Sequence, residues 1–228
     1  MLKYIMETKI RKNNENIKIG ICLSLLGGFL DSYSYILKGN VFANAQTGNV
    51  VLIFIALANR EFNKSVKYLI PVVTFAVGIF ISELLKTKKN LRSHIRLKII
   101  LILEAFLIAC IAFFGKNYSN HAVNCVISLI AAVQVANFDR IDNSPIATTM
   151  ITGNLKSGMI QLSQYIHTKN RDCLYSFIKY MIVICNFGIG VIIGCFSIKL
   201  CSEYSILVCE LFLILTYITI EEDKTGLP

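Results

Sequence analysis

Apolar runs recur from one end of the chain to the other, separated by short polar turns. Runs of about 20 apolar residues are long enough to cross the hydrocarbon core of a bilayer as helices. A soluble bundle of such helices would need polar outer faces, which these segments lack. The pattern therefore predicts an all-α polytopic membrane protein that forms a single integral membrane domain over residues 1–228. Its eight apolar segments are placed at 19–37, 45–59, 66–85, 97–115, 121–138, 148–166, 175–199 and 203–220.

Several features of the first four segments return in the same order along the last four. Thr-Gly-Asn lies near the start of the second and sixth segments, Phe-x-x-Gly-x-x-x-small lies in the third and seventh, and a glutamate lies in the fourth and eighth. In the alignment of the two halves, Asp31 of the first segment corresponds to residue 135, 136 or 137 of the fifth, because the register of the alignment can shift there by two residues. The chain is therefore predicted to contain one duplicated four-segment unit, at 19–115 and 121–220.

The basic residues between the segments favour one of two topologies. If all eight segments crossed and the basic leader at 1–18 were cytoplasmic, the six Lys and Arg residues of 86–98 would lie outside. If segments two and six entered the bilayer and returned on the same side, 86–98 would move inside, although the basic residues of 60–67 would lie outside. We therefore predict six full crossings plus two re-entrant or half helices, with both termini cytoplasmic and the two units oppositely oriented. Eight crossing helices are the alternative.

Composition removes several classes of function. The net charge of +9 comes from Lys and Arg residues that cluster between apolar runs, and no basic stripe with interleaved aromatics suggests nucleic-acid binding. The eight cysteines form no Cys-x-x-Cys pair and the three histidines are isolated, so no metal site or cofactor is expected. No nucleophile elbow, His-Glu-x-x-His motif or glycine-rich phosphate loop is present, and the protein is not expected to be an enzyme.

Both Thr-Gly-Asn copies are too polar at their front ends to lie comfortably in lipid. Glycine lets the backbone turn tightly, and Thr and Asn side chains cap the exposed N–H groups of a helix start. Two half-helices that began there would point their positive ends at one cavity, which suits an anionic or dipolar solute. The alternative is that both copies are polar caps at a tight helix crossing.

Asp31 lies inside the first apolar segment, on the same helical face as Gly27 and Gly28. An ionisable group inside a membrane is costly and marks a functional site by default, here for a proton or a bound cation. The alternative is a structural partner for the half-helix ends. Glu104 and Glu210 lie inside the fourth and eighth segments and are more readily explained as polar contacts between helices.

The candidate residues are the polar and ionisable groups of these motifs. The candidate substrate- or ion-binding residues are Asp31, Thr47, Gly48, Asn49, Gln134, Asn137, Thr152, Gly153 and Asn154. The secondary candidates are Asn44, Gln46, Glu104, Lys156 and Glu210.

Two functions fit these candidates. The first is a small secondary transporter or channel-like carrier of an unidentified small polar or anionic solute, with Asp31 coupling a proton. The second is a non-transporting membrane scaffold, or a protein that binds lipid or a partner. Transport requires Asp31 and both Thr-Gly-Asn copies to converge on one wet cavity, whereas a scaffold predicts that they are separated or dry-packed. The expected partners are the lipid bilayer and the solute, and a homo-oligomer is left open.

Residues 27–51, GGFLDSYSYILKGNVFANAQTGNVV, resemble the opening of the YoaK-like family of bacterial inner-membrane proteins. That family shows a Gly-x-x-Asp helix, then Phe-Ala in a small loop, then Thr-Gly-Asn, with a Gly-x-Gln-Asn-Ala stretch in its second half. Here that second stretch reads AVQVA at 132–136, so the usual Gly and Asn are replaced. The resemblance implies a domain of unknown function in the bacterial cytoplasmic (inner) membrane with about six membrane helices, and it supplies no substrate or catalytic residue.

Overall fold

The computed structural model describes residues 2–87, 93–138, 146, 148 and 151–225, and the elements of this part of the chain are all helical. The α-helices are α1 (Leu2–Leu37), α2 (Gln46–Ala58), α3 (Phe62–Thr87), α4 (Ser93–Phe114), α5 (Asn120–Asn137), α6 (Ile151–Thr168), α7 (Arg171–Cys201) and α8 (Val208–Thr225). A 3-10 helix at Ser202–Leu207 separates α7 from α8. Each predicted apolar segment corresponds to one α-helix, so the all-α prediction is confirmed.

Four helical stretches of the described chain are long and apolar enough to cross a membrane: Ile17–Leu37, Phe62–Lys86, Ile95–Phe114 and Arg171–Ile220. The last stretch has 50 residues and contains both α7 and α8, whereas about 20 residues suffice for one crossing. Only 17% of the apolar window in α3 is buried by protein, compared with 72% in α1. An apolar surface of this extent requires lipid around it, so the chain is a helical membrane protein with α1 near its centre.

Glycines allow α1 and α7 to cross with their backbones in contact. A Cβ atom on Gly28 would lie 2.0 Å from the carbonyl oxygen of Phe187, and one on Gly190 would lie 2.1 Å from that of Leu25. Further along, Gly194 meets the side chain of Ser32. Leu25 meets Gly190, Ser32 meets Gly194, and Lys38 just after α1 meets Glu203 just after α7, so α1 and α7 run in the same direction.

The helix contacts of the first half recur between the corresponding helices of the second half. α1 packs against α7, and α5 packs against α3. α2 lies on α3, and α6 lies on α7. α1 also contacts α8, as α5 contacts α4, and α4 and α8 contact each other. Exchanging the two halves of the described chain therefore reproduces the same set of helix pairs.

The loop between α1 and α2 folds back along α1 instead of leaving the bundle. The N–H of Ala43 donates to Ser34 Oγ at 3.1 Å, and the N–H of Asn44 donates to Asp31 Oδ1 at 3.0 Å. The Asn44 side chain reaches one turn further, to the carbonyl oxygen of Gly27 at 3.2 Å. α2 therefore begins beside the apolar stretch Ile17–Leu37 of α1, about one helical turn past its middle. Its 13 residues span only about 20 Å, less than the roughly 30 Å of a hydrocarbon core.

A buried ion pair joins several helix ends at one end of the bundle. Lys38, which is only 2% exposed, places Nζ 2.7 Å from a carboxylate oxygen of Glu203. The Tyr33 hydroxyl donates to the same carboxylate at 2.7 Å, and Lys38 Nζ donates to the carbonyl oxygen of Gly115 at 3.4 Å. The ends of α1, α4 and α7 therefore lie together. At the other end, Lys86 of α3 donates to the carbonyl oxygen of Ala136 in α5.

Candidate functional site

A cavity of about 480 Å³ lies where α1, α2, α3, α6 and α7 meet. It has the size of a typical small-molecule site, which occupies about 300–1,000 Å³. The starts of α2 and α6 form part of its wall. Its lining residues are Asp31, Phe42, Asn44, Ala45, Gln46, Thr47, Gly48, Phe75, Ile151, Thr152, Gly153 and Phe187.

Asp31 joins the wall of this cavity to the start of α2. Its Oδ1 atom accepts the N–H of Asn44 at 3.0 Å and the N–H of Ala45 at 3.1 Å. Ala45 is the residue immediately before α2. The carboxylate, only 5% exposed, therefore lies at the positive end of that helix, where a negative charge is stabilised. Asp31 determines the depth at which α2 begins and adds a charge to the cavity.

Asn44 lines the cavity and has a buried, unpaired hydrogen-bond acceptor. Its Nδ2 group donates to the carbonyl oxygen of Gly27, and this contact orients the amide. Its Oδ1 atom is buried and accepts no hydrogen bond from the described residues. Leaving a buried acceptor unpaired costs about 1–3 kcal/mol, so a donor from outside the protein would be favourable at this position.

In the first Thr-Gly-Asn copy, Thr47 and Gly48 line the cavity and Asn49 does not. Asn49 is fully buried: its Oδ1 accepts the N–H of Phe42 at 3.0 Å, and its Nδ2 donates to the Phe42 carbonyl at 2.7 Å. Asn49 Nδ2 also donates to Gln46 Oε1 at 2.9 Å. A Cβ on Gly48 would lie 2.7 Å from the Phe42 ring. The motif therefore holds the loop against α2 and makes room for an aromatic side chain.

In the second copy, Thr152 and Gly153 line the same cavity, and the buried Asn154 does not. A Cβ on Gly153 would have no atom of the described residues within 4 Å, so among them this glycine faces open space. Thr148, just before α6, is buried, and its Oγ1 has no hydrogen-bond partner among the described residues. The two copies therefore reach one cavity from two helices, with different surroundings.

Three phenylalanines of the wall were not among the residues predicted from the sequence. Phe42 comes from the loop before α2, Phe75 from α3 and Phe187 from α7. Phe75 and Phe187 open the two copies of the Phe-x-x-Gly pattern, which in the sequence served only to indicate the duplicated unit. The repetition of the aromatic residue itself was the available signal. Phe42 stacks on Tyr35 with ring centroids 4.8 Å apart.

Several predicted residues lie away from the cavity lining. Gln134 is fully buried in α5, and its amide has no hydrogen-bond partner in the described chain. Asn137 donates to the carbonyl oxygen of Val133 at 2.8 Å and to Ser82 Oγ at 3.5 Å. The secondary candidates Asn44 and Gln46 do line the cavity. The predicted residues outside its lining are Asn49, Gln134, Asn137, Asn154, Glu104, Lys156 and Glu210.

The cavity wall combines hydrogen-bonding groups with aromatic rings. It offers one carboxylate, one free amide oxygen, two threonine hydroxyls and three aromatic rings. Within the described residues, no group of three or more His, Cys, Asp and Glu side chains is arranged to hold a metal ion. A small molecule with both apolar and hydrogen-bonding parts would match this wall.

Comparison with known proteins identifies the family. The chain is 26% identical over 153 residues to UPF0700 transmembrane protein YoaK of Bacillus subtilis (strain 168), which is 65% of this chain and 68% of that protein. No solved structure matches the chain. The family model described as "Protein of unknown function (DUF1275)" matches residues 19–219, which include both Thr-Gly-Asn copies and every residue of the cavity wall. The resemblance stated from the sequence is confirmed, and the chain belongs to the DUF1275 family.

Proposed function

We propose that the protein is a small secondary transporter or channel-like carrier that holds a small polar solute in the cavity between α1, α2, α3, α6 and α7. The observation that carries this proposal is the convergence of Asp31 and both Thr-Gly pairs on one cavity. A scaffold that used these polar groups only to join helices would leave them separated or packed against one another. The alternative of a non-transporting membrane protein is therefore less well supported.

The proposed topology has six crossings, by α1, α3, α4, α5, α7 and α8, with α2 and α6 as half-helices. The short length of α2 and the loop that returns along α1 support this arrangement for the first half. The matching helix pairs of the two halves support a duplicated unit. With both termini cytoplasmic in a bacterial inner membrane, the end of the bundle that holds the Lys38–Glu203 ion pair would face outward.

The two half-helices extend from the cavity toward opposite ends of the bundle. α2 leads into α3, whose Lys67 lies beside Gly39 at the Lys38 end. α6 leads into the start of α7, which is the end of α7 remote from Cys201 and from the ion pair. In transporters with inverted repeats, half-helices of this kind meet at a solute site near the midplane. Rocking of one unit against the other would then expose the cavity to each side in turn.

The proposal is tested by finding a solute and measuring its flux. Purified protein in detergent is screened against small solutes, because a ligand at 100 times its Kd stabilises the folded state by about 2.7 kcal/mol. Each stabilising solute is then tested for uptake into proteoliposomes, with and without an imposed pH gradient. We expect uptake that follows the gradient.

The substitution Asp31→Asn should abolish the proton-coupled part of the flux while expression stays intact. Glu104→Gln is the matched control, since Glu104 is a buried carboxylate outside the cavity. Unchanged coupled flux in Asp31→Asn would show that Asp31 is not the coupling group. Solutes that bind in the cavity but never cross the bilayer would contradict the carrier proposal.

A further inference from the structure

We infer that the cavity recognises a protonated amine: a small organic ammonium whose N–H groups face Asp31 and Asn44 and whose apolar body contacts Phe42, Phe75 and Phe187. The inference rests on the proposed function only in taking this cavity as the solute site. Of the small polar or anionic solutes predicted from the sequence, it selects polar solutes with a positive charge and excludes the anionic ones.

The described part of the cavity wall has one acidic side chain and no basic one. Among its lining residues within the described chain, Asp31 is ionisable and no Lys, Arg or His is present. The backbone N–H groups of Asn44 and Ala45 both donate to Oδ1 of Asp31. Because a carboxylate offers about four acceptor positions, acceptor capacity remains for a ligand. The starts of α2 and α6 each carry about half a positive charge. At α2 this positive end already lies against the carboxylate.

The aromatic residues of the wall favour a cation over a neutral solute. Phe42, Phe75 and Phe187 come from three separate elements and line one cavity with the carboxylate. The face of an aromatic ring is electrically negative and attracts an ammonium group or the polarised C–H groups beside it. The Phe42 ring stacks on Tyr35 and packs against Gly48, where a side chain would collide with it. A purely apolar ligand would need no carboxylate beside the aromatic rings.

The unpaired amide oxygen of Asn44 selects a ligand that donates hydrogen bonds. Asn44 is 1% exposed, and the contact from its Nδ2 to Gly27 fixes which amide atom is the acceptor. A primary or secondary ammonium carries N–H groups that donate to this oxygen and to Asp31 together. A quaternary ammonium has the charge but no such donor, so it would leave the Asn44 oxygen unpaired.

Matched small molecules test this inference by calorimetry on the purified full chain in detergent. The probe is the phenethylammonium ion, and benzylammonium and methylammonium ions complete the ammonium series. The comparison molecules are neutral 2-phenylethanol, the 3-phenylpropionate anion and the N,N,N-trimethyl analogue of phenethylammonium. We expect phenethylammonium to bind at least about tenfold more tightly than its neutral and quaternary counterparts, and the anion not to bind.

Substitutions of lining residues test whether the probe binds in the cavity. Asp31→Asn should weaken phenethylammonium binding by about a hundredfold, whereas Glu104→Gln should leave it unchanged. Phe75→Leu and Phe187→Leu keep an apolar side chain but remove the ring, and each should weaken binding severalfold. These two variants, and the comparison of probes on the unaltered protein, keep the inference testable if Asp31→Asn does not fold.

The outcomes separate this inference from the carrier proposal. Equal or tighter binding of the alcohol or the anion, or no heat with any ammonium probe, would overturn the inference. Ammonium binding that Asp31→Asn leaves intact would overturn it too. If ammonium ions bind but are not moved across proteoliposomes, the carrier proposal fails and the ligand class stands. If an anion is carried through the cavity, the carrier proposal stands and the ligand class is wrong.

Discussion

The two Thr-Gly-Asn copies border the same cavity, yet their surroundings differ. In the first copy, Asp31 accepts two N–H groups just before α2, and Asn49 ties the Phe42 backbone to that helix. In the second copy, Gly153 faces open space. The first half therefore supplies the charge and a firmly held wall, and the second half supplies a wall with room beside it. A repeated motif does not imply a repeated role.

The corresponding helices α1 and α5 of the two halves differ in the same way. Gly78 of α3 faces Leu129 and Ala132 of α5, and Gly190 of α7 faces Leu25 of α1. Under the proposed duplication, matching these contacts pairs Leu25 with Leu129 and therefore Asp31 with residue 135, one of the three positions that the sequence left open. Residue 135 is a valine. The second half thus has an apolar side chain where the first half has its acid.

The largest effect is expected from cysteine labelling, which tests whether the two half-helices emerge at opposite ends. In a cysteine-free background, single cysteines replace the exposed residues Asn63, Lys116 and Asn170. With two half-helices, an impermeant maleimide added outside cells labels positions 63 and 116 and leaves 170 unlabelled. Eight full crossings would place all three positions inside, so protection of 63 and 116 would remove the proposed topology.

The next largest effect is a loss of stability when the glycines that contact a neighbouring helix, Gly190 and Gly78, are replaced. Gly190 meets the backbone of α1, which cannot move aside, whereas Gly78 meets the side chains of Ala132 and Leu129. Gly190→Ala should therefore destabilise the fold by about 3 kcal/mol or more, and Gly78→Ala by about 1–2 kcal/mol. The measurement is thermal unfolding in detergent. Gly188→Ala, also in α7 with no atom within 4 Å of its Cβ, is the control and should be close to neutral.

The smallest effect is a difference in stability between variants at the glycines of the two Thr-Gly-Asn motifs, Gly48 and Gly153. Gly48→Ala pushes on the Phe42 ring, so it should cost about 1–2 kcal/mol of stability and weaken ligand binding. Gly153→Ala has free space, and alanine favours the helix by up to about 1 kcal/mol, so stability should stay equal or rise slightly. Unfolding curves and ligand titrations on both variants check this. Equal losses of stability would mean that the two motifs are equally constrained.

Much of the fold was predictable because it depends on local properties of the chain. The length and apolarity of each run identify a helix that tolerates lipid, and the rare polar motifs within those runs predict Asp31, Thr47 and Thr152 as residues at membrane depth. The all-α membrane class and the family resemblance are confirmed. The substrate, the crossing count and the duplication stay predictions.

The surroundings of individual side chains were less predictable. Lys38 follows α1 in a turn, yet it is buried in an ion pair with Glu203, which is remote in sequence. The sequence predicts Asn49 as a ligand-binding residue, whereas in the structure its amide forms hydrogen bonds with the Phe42 backbone. Both contacts depend on how segments distant in sequence come together, which periodicity within one segment does not report.

The amino-acid sequence alone indicates which segments form helices and where polar groups interrupt them, because hydrophobic length and helix-start chemistry depend on neighbouring residues. The packing of the helices is needed to show that Asp31, both Thr-Gly pairs and three phenylalanines share one cavity, and that Asn49 and Asn154 lie outside its lining. The reason is geometric. An apolar helix carries no mark of which face meets lipid, protein or a cavity until the other helices are packed around it.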